Sequence, residues 1–220
     1  MKLQVPEHQN PPGGPSRRAD SIHRRLVLAT RNPGKIIEIR SILRELPVEI
    51  KSLSDFPDLP DVVEDGKTFE QNAFKKAREI FLALHIPALA DDSGLEVYSL
   101  GMRPGVYSAR YAGEHVSYAD NNRKLLGEMN GMPPGQRRAR FRCVTAFASE
   151  NFEKVTEGIC EGRIIEAPRG TGGFGYDPLF VPEGYQETFG ELPLETKNRL
   201  SHRAKALGLM SEILRKHFQR

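Results

Sequence analysis

The residues best suited to chemistry are carboxylates and amines. Glu64 and Asp65 fall in one acidic stretch, Asp91 and Asp92 in another. Oxygen donors without histidine or cysteine suit a hard cation such as Mg2+, which takes one or two carboxylates and fills its remaining positions with water and phosphate. Neighbouring strand residues face opposite ways, so one of Asp91 and Asp92 points into a shared site unless the strand has already ended. Asp91-Asp92-Ser93-Gly94 also reads simply as a turn.

Cationic groups recur around these acids. Thr30-Arg31-Asn32-Pro33-Gly34-Lys35 joins a short apolar run to a helical pattern, and a helix N-terminus with free N–H groups and an adjacent lysine is suited to phosphate. A surface loop with a solvated lysine is the plain alternative, and the segment lacks the glycine and Lys-Ser/Thr pair of a Walker loop. Lys76 falls inside the apolar arc set by Phe69 and Ile80, with Asn72 one turn before it. Such a lysine either snorkels to the edge or points at bound phosphate. Gly170-Thr171-Gly172-Gly173-Phe174-Gly175 satisfies G-x-G-x-x-G, yet Asp177-Pro178 and Pro182 forbid the helix a dinucleotide fingerprint needs. Glycines beside Phe174, Tyr176 and Asp177 instead suit a backbone approaching a planar ligand. Lys197 and Arg203, near Ser201 and His202, are donors only; facing a purine, they favour a 6-keto acceptor over the amino group of adenine.

The elements that position these groups alternate between strand and helix. Residues 26–29 read as a buried strand, followed by a helix capped by Asn32 with Pro33 at its first position and Ile36, Ile39, Leu43 and Leu46 recurring. Residues 48–53 read as a second strand and residues 54–66 as a loop. A helix begins at Thr68, with Gln71 expected to reach back to it and Phe69, Ala73, Ala77, Ile80 and Leu84 buried. A buried strand over residues 87–90 is interrupted at Asp91. Residues 117–129 predict a helix capped by Ser117 and Asp120, residues 138–149 and 154–165 two long strands, and residues 201–218 a final helix. The class is α/β with a mixed sheet.

In 220 residues, 32 basic side chains nearly balance 29 acidic ones, so a nucleic-acid binder is not suggested. Arg138, Arg140 and Arg142 share a face at period two, but Phe141 and Cys143 opposite them mark an ordinary half-buried strand. The two cysteines, Cys143 and Cys160, predict buried free thiols. No apolar run reaches the ~20 residues of a membrane span, and residues 1–25 lack the core of a secretory signal. They are expected to be a disordered extension preceding one catalytic unit, residues 26–220.

In this order the motifs Leu28-Ala29-Thr30-Arg31-Asn32-Pro33-Gly34-Lys35, Asn72-Ala73 with Lys76-Ala77, Ala90-Asp91-Asp92-Ser93-Gly94-Leu95, Pro104-Gly105-Val106-Tyr107-Ser108-Ala109-Arg110-Tyr111, Gly172-Gly173-Phe174-Gly175-Tyr176-Asp177-Pro178 and Ser201-His202-Arg203 resemble the non-canonical purine nucleoside triphosphate (inosine triphosphate) pyrophosphatase family. The resemblance implies an elongated mixed sheet flanked by helices with a central cleft, a cytoplasmic homodimer, and Mg2+ as cofactor. It places Thr30, Asn32 and Lys35 on the triphosphate, within a run that includes Arg31, Pro33 and Gly34. Glu64 and Asp92 would hold the metal, with Asp92 as general base and Asp91 and Lys76 supporting the catalytic centre. Phe174, Gly175, Tyr176, Asp177, Lys197, His202 and Arg203 would surround the base, while Asn72 and Ser93 are also expected to contact substrate. Arg31 stands where relatives often carry a smaller residue. The nearest enzyme alternative, a pyrophosphatase for other nucleotides as in the related septum-inhibition family, sits less well with a donor-rich base pocket.

Overall fold

The computed structural model describes residues 25–219. The expected disordered extension lies outside the described residues, except that Arg25 already opens the first strand. The elements run β1 (Arg25–Leu28), α1 (Pro33–Ile42), β2 (Glu49–Ser52), α2 (Phe69–Leu84), β3 (Ala88–Val97), β4 (Arg103–Pro104), α3 (Tyr118–Glu128), β5 (Arg138–Ser149), β6 (Phe152–Ile164), β7 (Phe180–Pro182), α4 (Leu194–Leu200) and α5 (His202–Phe218). The seven strands form one mixed sheet in the order β2-β1-β3-β5-β6-β7, with β4 beside β3. β1 runs parallel to β2 and β3, and the remaining pairings are antiparallel. No helix among the described residues is long and apolar enough to cross a membrane.

Local chemistry starts the helices where the sequence places them. Asn32 accepts from the Lys35 amide at 3.1 Å, Thr68 from Gln71, and Ser201 from Ala204, while Ser117 and Asp120 cap reciprocally. Gln71 reaches one residue further back than expected, accepting from the Lys67 amide at 2.7 Å. The turn between β5 and β6 tightens to Glu150-Asn151. β7 and α4 have no clear sequence signal: each is short, and β7 exists because residues 180–182 pair with β6 from Gly162 to Ile164.

Strand alternation sorts the core by side-chain size. Val27, Ala29, Ala88, Ala90, Ala146 and Ala148 face α2, whose Ala73 and Ala77 pack closely against them. Leu26, Leu28, Leu89 and Phe147 face the other way, toward Ile39 and Leu43 of α1 and Leu207, Met210 and Leu214 of α5. A third cluster around Phe141, Phe180 and Phe189 fills the far half of the sheet.

Asp91-Asp92-Ser93-Gly94 is neither a turn nor a strand end. β3 continues to Val97, and Asp91 to Gly94 pair in register with Thr145 to Arg142 of β5. Gly94 permits this because a Cβ there would meet Ser108 Oγ at 2.4 Å and the Gly105 carbonyl at 2.5 Å. The two aspartates therefore point to opposite faces, Asp92 toward α2 with Ala88 and Ala90, and Asp91 toward α1 and α5 with Leu89.

Candidate active site

β1 stops at Leu28 while β3 continues, so one edge of β3 is left open beyond Leu89. Because α1 joins β1 to β2 and α2 joins β2 to β3 on opposite faces of the sheet, and β2 and β3 flank β1, this opening is the topological switch point of the parallel part of the sheet, where open α/β folds bind ligands. The Leu89 carbonyl accepts from the Ala29 amide at 2.8 Å; two residues on, the Asp91 carbonyl faces the same side and finds no strand. Lys76 Nζ takes its place at 2.7 Å, and Ser108 Oγ accepts from the Leu95 amide at 2.9 Å. The buried lysine that broke the helical pattern of α2 thus closes an unpaired sheet edge.

A cavity of about 580 Å³ opens here, reached by Thr30, Arg31, Asn32 and Lys35 from the β1–α1 turn, by Glu64 and Lys76, by Asp92 and Ser93 of β3, and by Phe174, Gly175, Tyr176, Asp177, Lys197, His202 and Arg203. Pro33, Gly34, Asn72 and Asp91, expected to touch substrate or the catalytic centre, do not line it. Pro33 is the exposed first residue of α1. Gly34 lies beneath the Phe174 ring, where a Cβ would come within 2.5 Å of a ring carbon. Asp91 is buried behind the wall, and Asn72 is enclosed between α2 and β3. Arg31 faces inward, but its guanidinium is engaged by the carbonyls of Leu53, Phe56 and Leu59 and by Asp61, so it stitches the loop after β2 to the β1–α1 turn.

One end of the cavity is acidic. Lys76 Nζ lies 2.7 Å from Glu64 Oε1 and 3.9 Å from Asp92 Oδ1. Burial raises the Asp92 pKa and the nearby Glu64 charge adds to this, against the pull of Lys76, Lys35 and Asn72. Two carboxylates sharing one lysine carry a negative surplus that a dication would neutralise. Among the described residues no group of three or more histidine, cysteine, aspartate or glutamate side chains is gathered to hold a metal. The donor set fits a cation such as Mg2+ that draws much of its shell from substrate and water.

The other end is a buried charge network. Glu38, which sequence reasoning missed, accepts from Lys197 at 2.7 Å and from Arg203 through its two oxygens. Lys197 also pairs with Asp177, and Arg203 with Asp91, which in turn meets Lys35 Nζ at 3.1 Å. Burial opposes ionisation of Asp91, but Lys35, Arg203 and Lys76 outweigh it and hold the carboxyl far below its ordinary range. The same ion pair lifts the Lys35 pKa although burial alone would lower it. His202 is stacked on Phe141 at 4.6 Å and held neutral, its pKa well below 6.5, by burial and then by Arg203 and Lys197. The hint of Glu38 in the sequence is its position one turn after Lys35 and beside the apolar Ile39 on α1; the structure leaves it only 4% exposed.

Donor counting shows what remains for a ligand. Glu38 and Asp177 use two of the three N–H groups of Lys197, and Asp91, Glu38 and Ser93 take four of the five of Arg203. Each cation keeps one donor. The Phe174 ring lies across both, with its centroid 5.1 Å from Lys197 Nζ and 5.5 Å from Arg203 Cζ. Tyr118, also unforeseen, accepts from Asn32 Nδ2 at 3.1 Å and sets its ring 6.2 Å from that of Phe174. The β5 arginines are occupied elsewhere: Arg140 pairs with Glu96, Arg142 with Glu157, and Arg138 covers the Tyr98 ring. Cys143 and Cys160 are buried free thiols whose pKa values burial pushes up to about 12 and about 11.

Residues 26–213 match the Ham1 family. A protein of Geobacter sulfurreducens named dITP/XTP pyrophosphatase is 54% identical over 86% of this chain and 96% of its own length, and one of that name from Bacillus subtilis is 45% identical over 88% and 98%. Among solved structures, a HAM1 protein from Coxiella burnetii superposes with a TM-score of 0.79 at 38% identity, covering 87% of this chain and 98% of that one.

Proposed function

The chain belongs to the Ham1 family, and from that premise we propose that it hydrolyses non-canonical purine nucleoside triphosphates (ITP, dITP and XTP) to the monophosphate and pyrophosphate. It is a nucleoside triphosphate pyrophosphatase, and its work is to clear the nucleotide pool of these species. The observation that carries the reading is one cavity with a cation-seeking carboxylate pair at one end and two singly vacant donors beneath an aromatic ring at the other.

Glu64 and Asp92 would hold Mg2+, which when bound supplies charge neutralisation on the phosphates and acidity at water. Thr30, Asn32 and Lys35, at the N-terminus of α1, hold the triphosphate. Asp92, a buried carboxylate facing the cavity, takes a proton from the attacking water. The water oxygen bonds to the α-phosphorus, the α–β bridging bond breaks, and its electron pair leaves on pyrophosphate. Lys35 and Lys76 offset the negative charge that develops there. At the far end Lys197 and Arg203 each present one N–H, matching a 6-keto oxygen and opposing the amino group of adenine. Asp177, held by Lys197, fixes the Gly-rich loop through the Phe174 amide at 2.8 Å. A cytoplasmic homodimer is the assembly the family resemblance supports, and light scattering of the eluted protein tests it.

The decisive test is pyrophosphate release from ITP, dITP, XTP, GTP, ATP and dTTP, with Mg2+ and with excess chelator. Metal-dependent release favouring ITP, dITP and XTP is expected. Activity spread over ordinary nucleotides would remove the base-pocket assignment first.

A further inference from the structure

We infer that Asn72, rather than contacting the nucleotide, is the positioning residue that sets the separation of the two metal-holding carboxylates, an inference resting on the assignment of Glu64 and Asp92 above. Asn72 is 0% exposed and takes no part in lining the cavity. Its amide is used at both ends. Oδ1 accepts from the Gly66 amide at 2.7 Å, and Nδ2 donates to Asp92 Oδ2 at 2.8 Å. An N–H on one side and a carboxylate on the other allow one orientation of the amide. Asn72 therefore ties the loop that carries Glu64 to the side chain of Asp92 through one rigid group.

A second tie runs parallel to it, and the contrast assigns the roles. Lys76, one turn later on α2, joins Glu64 Oε1 to the Asp91 carbonyl, both at 2.7 Å. That tie consumes a carboxylate oxygen a cation would need, and its charge competes with the cation. The Asn72 bridge is neutral, grips the loop by its main chain, and occupies Asp92 Oδ2 alone. Arg110 holds the same loop in the same manner, donating to the Glu64 carbonyl at 3.1 Å. Glu64 Oε1 would have to give up Lys76 to serve a cation, whereas Asp92 Oδ1 can serve one without disturbing the Asn72 contact on Oδ2. Gly66 completes the device: a Cβ there would lie 2.5 Å from Asn72 Oδ1, so only glycine lets the loop approach.

The test uses Asn72→Leu, which removes both arms at similar volume, and Gly66→Ala, which pushes the loop off Asn72 and spares Asp92. Mn2+ is titrated into nucleotide-free protein and free ion is followed by electron paramagnetic resonance. In parallel, the Mg2+ concentration for half-maximal pyrophosphate release from ITP and the KM for ITP at saturating Mg2+ are measured. Groups that orient metal ligands typically contribute about 10–100-fold in affinity or activity. The expected result is a rise of at least about tenfold in both metal constants for Asn72→Leu, a smaller rise for Gly66→Ala, KM within about twofold, and a double variant no worse than Asn72→Leu alone. Wild-type metal constants in folded Asn72→Leu, or a raised KM with unchanged metal dependence, would overturn the inference and return Asn72 to substrate contact. Wild-type protein that neither binds Mn2+ nor needs metal for hydrolysis would instead overturn the metal assignment itself, and this inference with it.

Discussion

At the base end of the cleft, Glu38, Asp177, Lys197 and Arg203 are enclosed and pair with one another, and Arg203 is joined through Asp91 to Lys35 at the start of α1. At the metal end, Glu64 and Asp92 share Lys76, and the Glu64 side chain, on a loop, is 34% exposed. The first arrangement is complete without ligand and leaves single donors in fixed directions, which suits discrimination between bases. The second is short of positive charge and easily rearranged, which suits a site that takes up a cation. The same chain thus uses buried ion pairs to fix geometry at one end and an unbalanced cluster to invite a cation at the other.

The largest effect that would test this contrast is on chemistry at the metal end. Asp92→Asn is expected to lower kcat for ITP about 10³-fold, as for loss of a general base, with a small change in stability. Near-normal turnover would remove Asp92 from its role. Of comparable free energy but different kind, Arg203→Met leaves Glu38 and Asp91 without their shared partner, and denaturant unfolding should show a loss of about 3–5 kcal/mol. Equal stability would mean that the base-end network is not the rigid half of the site. Gly34→Ala places a methyl against the Phe174 ring, and steady-state kinetics should show KM for ITP rising about tenfold, the equivalent of about 1.4 kcal/mol and at the lower end of the usual cost of overpacking.

The smallest effect concerns pH. His202 is neutral when folded, with its pKa depressed below the 6.5 at which the unfolded chain takes up a proton. Its contribution to stability is therefore full above that value and declines as pH falls toward the folded-state pKa. Chemical melts at falling pH should lose stability more steeply in wild type than in His202→Asn. Equal slopes would show that the imidazole is solvated rather than enclosed by the network.

Much of this was legible in the residues. The caps at Asn32, Thr68, Ser117 and Ser201 begin helices by local hydrogen bonds, and apolar periodicity chose the buried faces of α2 and α5. Lys76 announced itself by sitting where an apolar residue belongs. Less legible was Asp91-Asp92-Ser93-Gly94, because turn-forming residues can continue a strand when a neighbour such as β5 pairs every position. Arg31, Asn72 and Glu38 show a further limit, since a polar side chain's partner is fixed by what folds against it.

By itself the sequence determined the alternation of strands and helices, the family, and the inventory of acids, amines and glycines, because these depend on local periodicity, capping and motif order. Only the tertiary structure decided that Asp91 and Asp92 face opposite ways, that Lys76 closes the open edge of β3, that Glu38 joins Lys197 to Arg203, and that Asn72 spans two segments. Each depends on segments distant along the chain: β5 keeps Asp91 and Asp92 in a strand, the end of β1 at Leu28 leaves the β3 carbonyl that Lys76 satisfies, and the buried charges find partners only where α1, α5 and the loops meet.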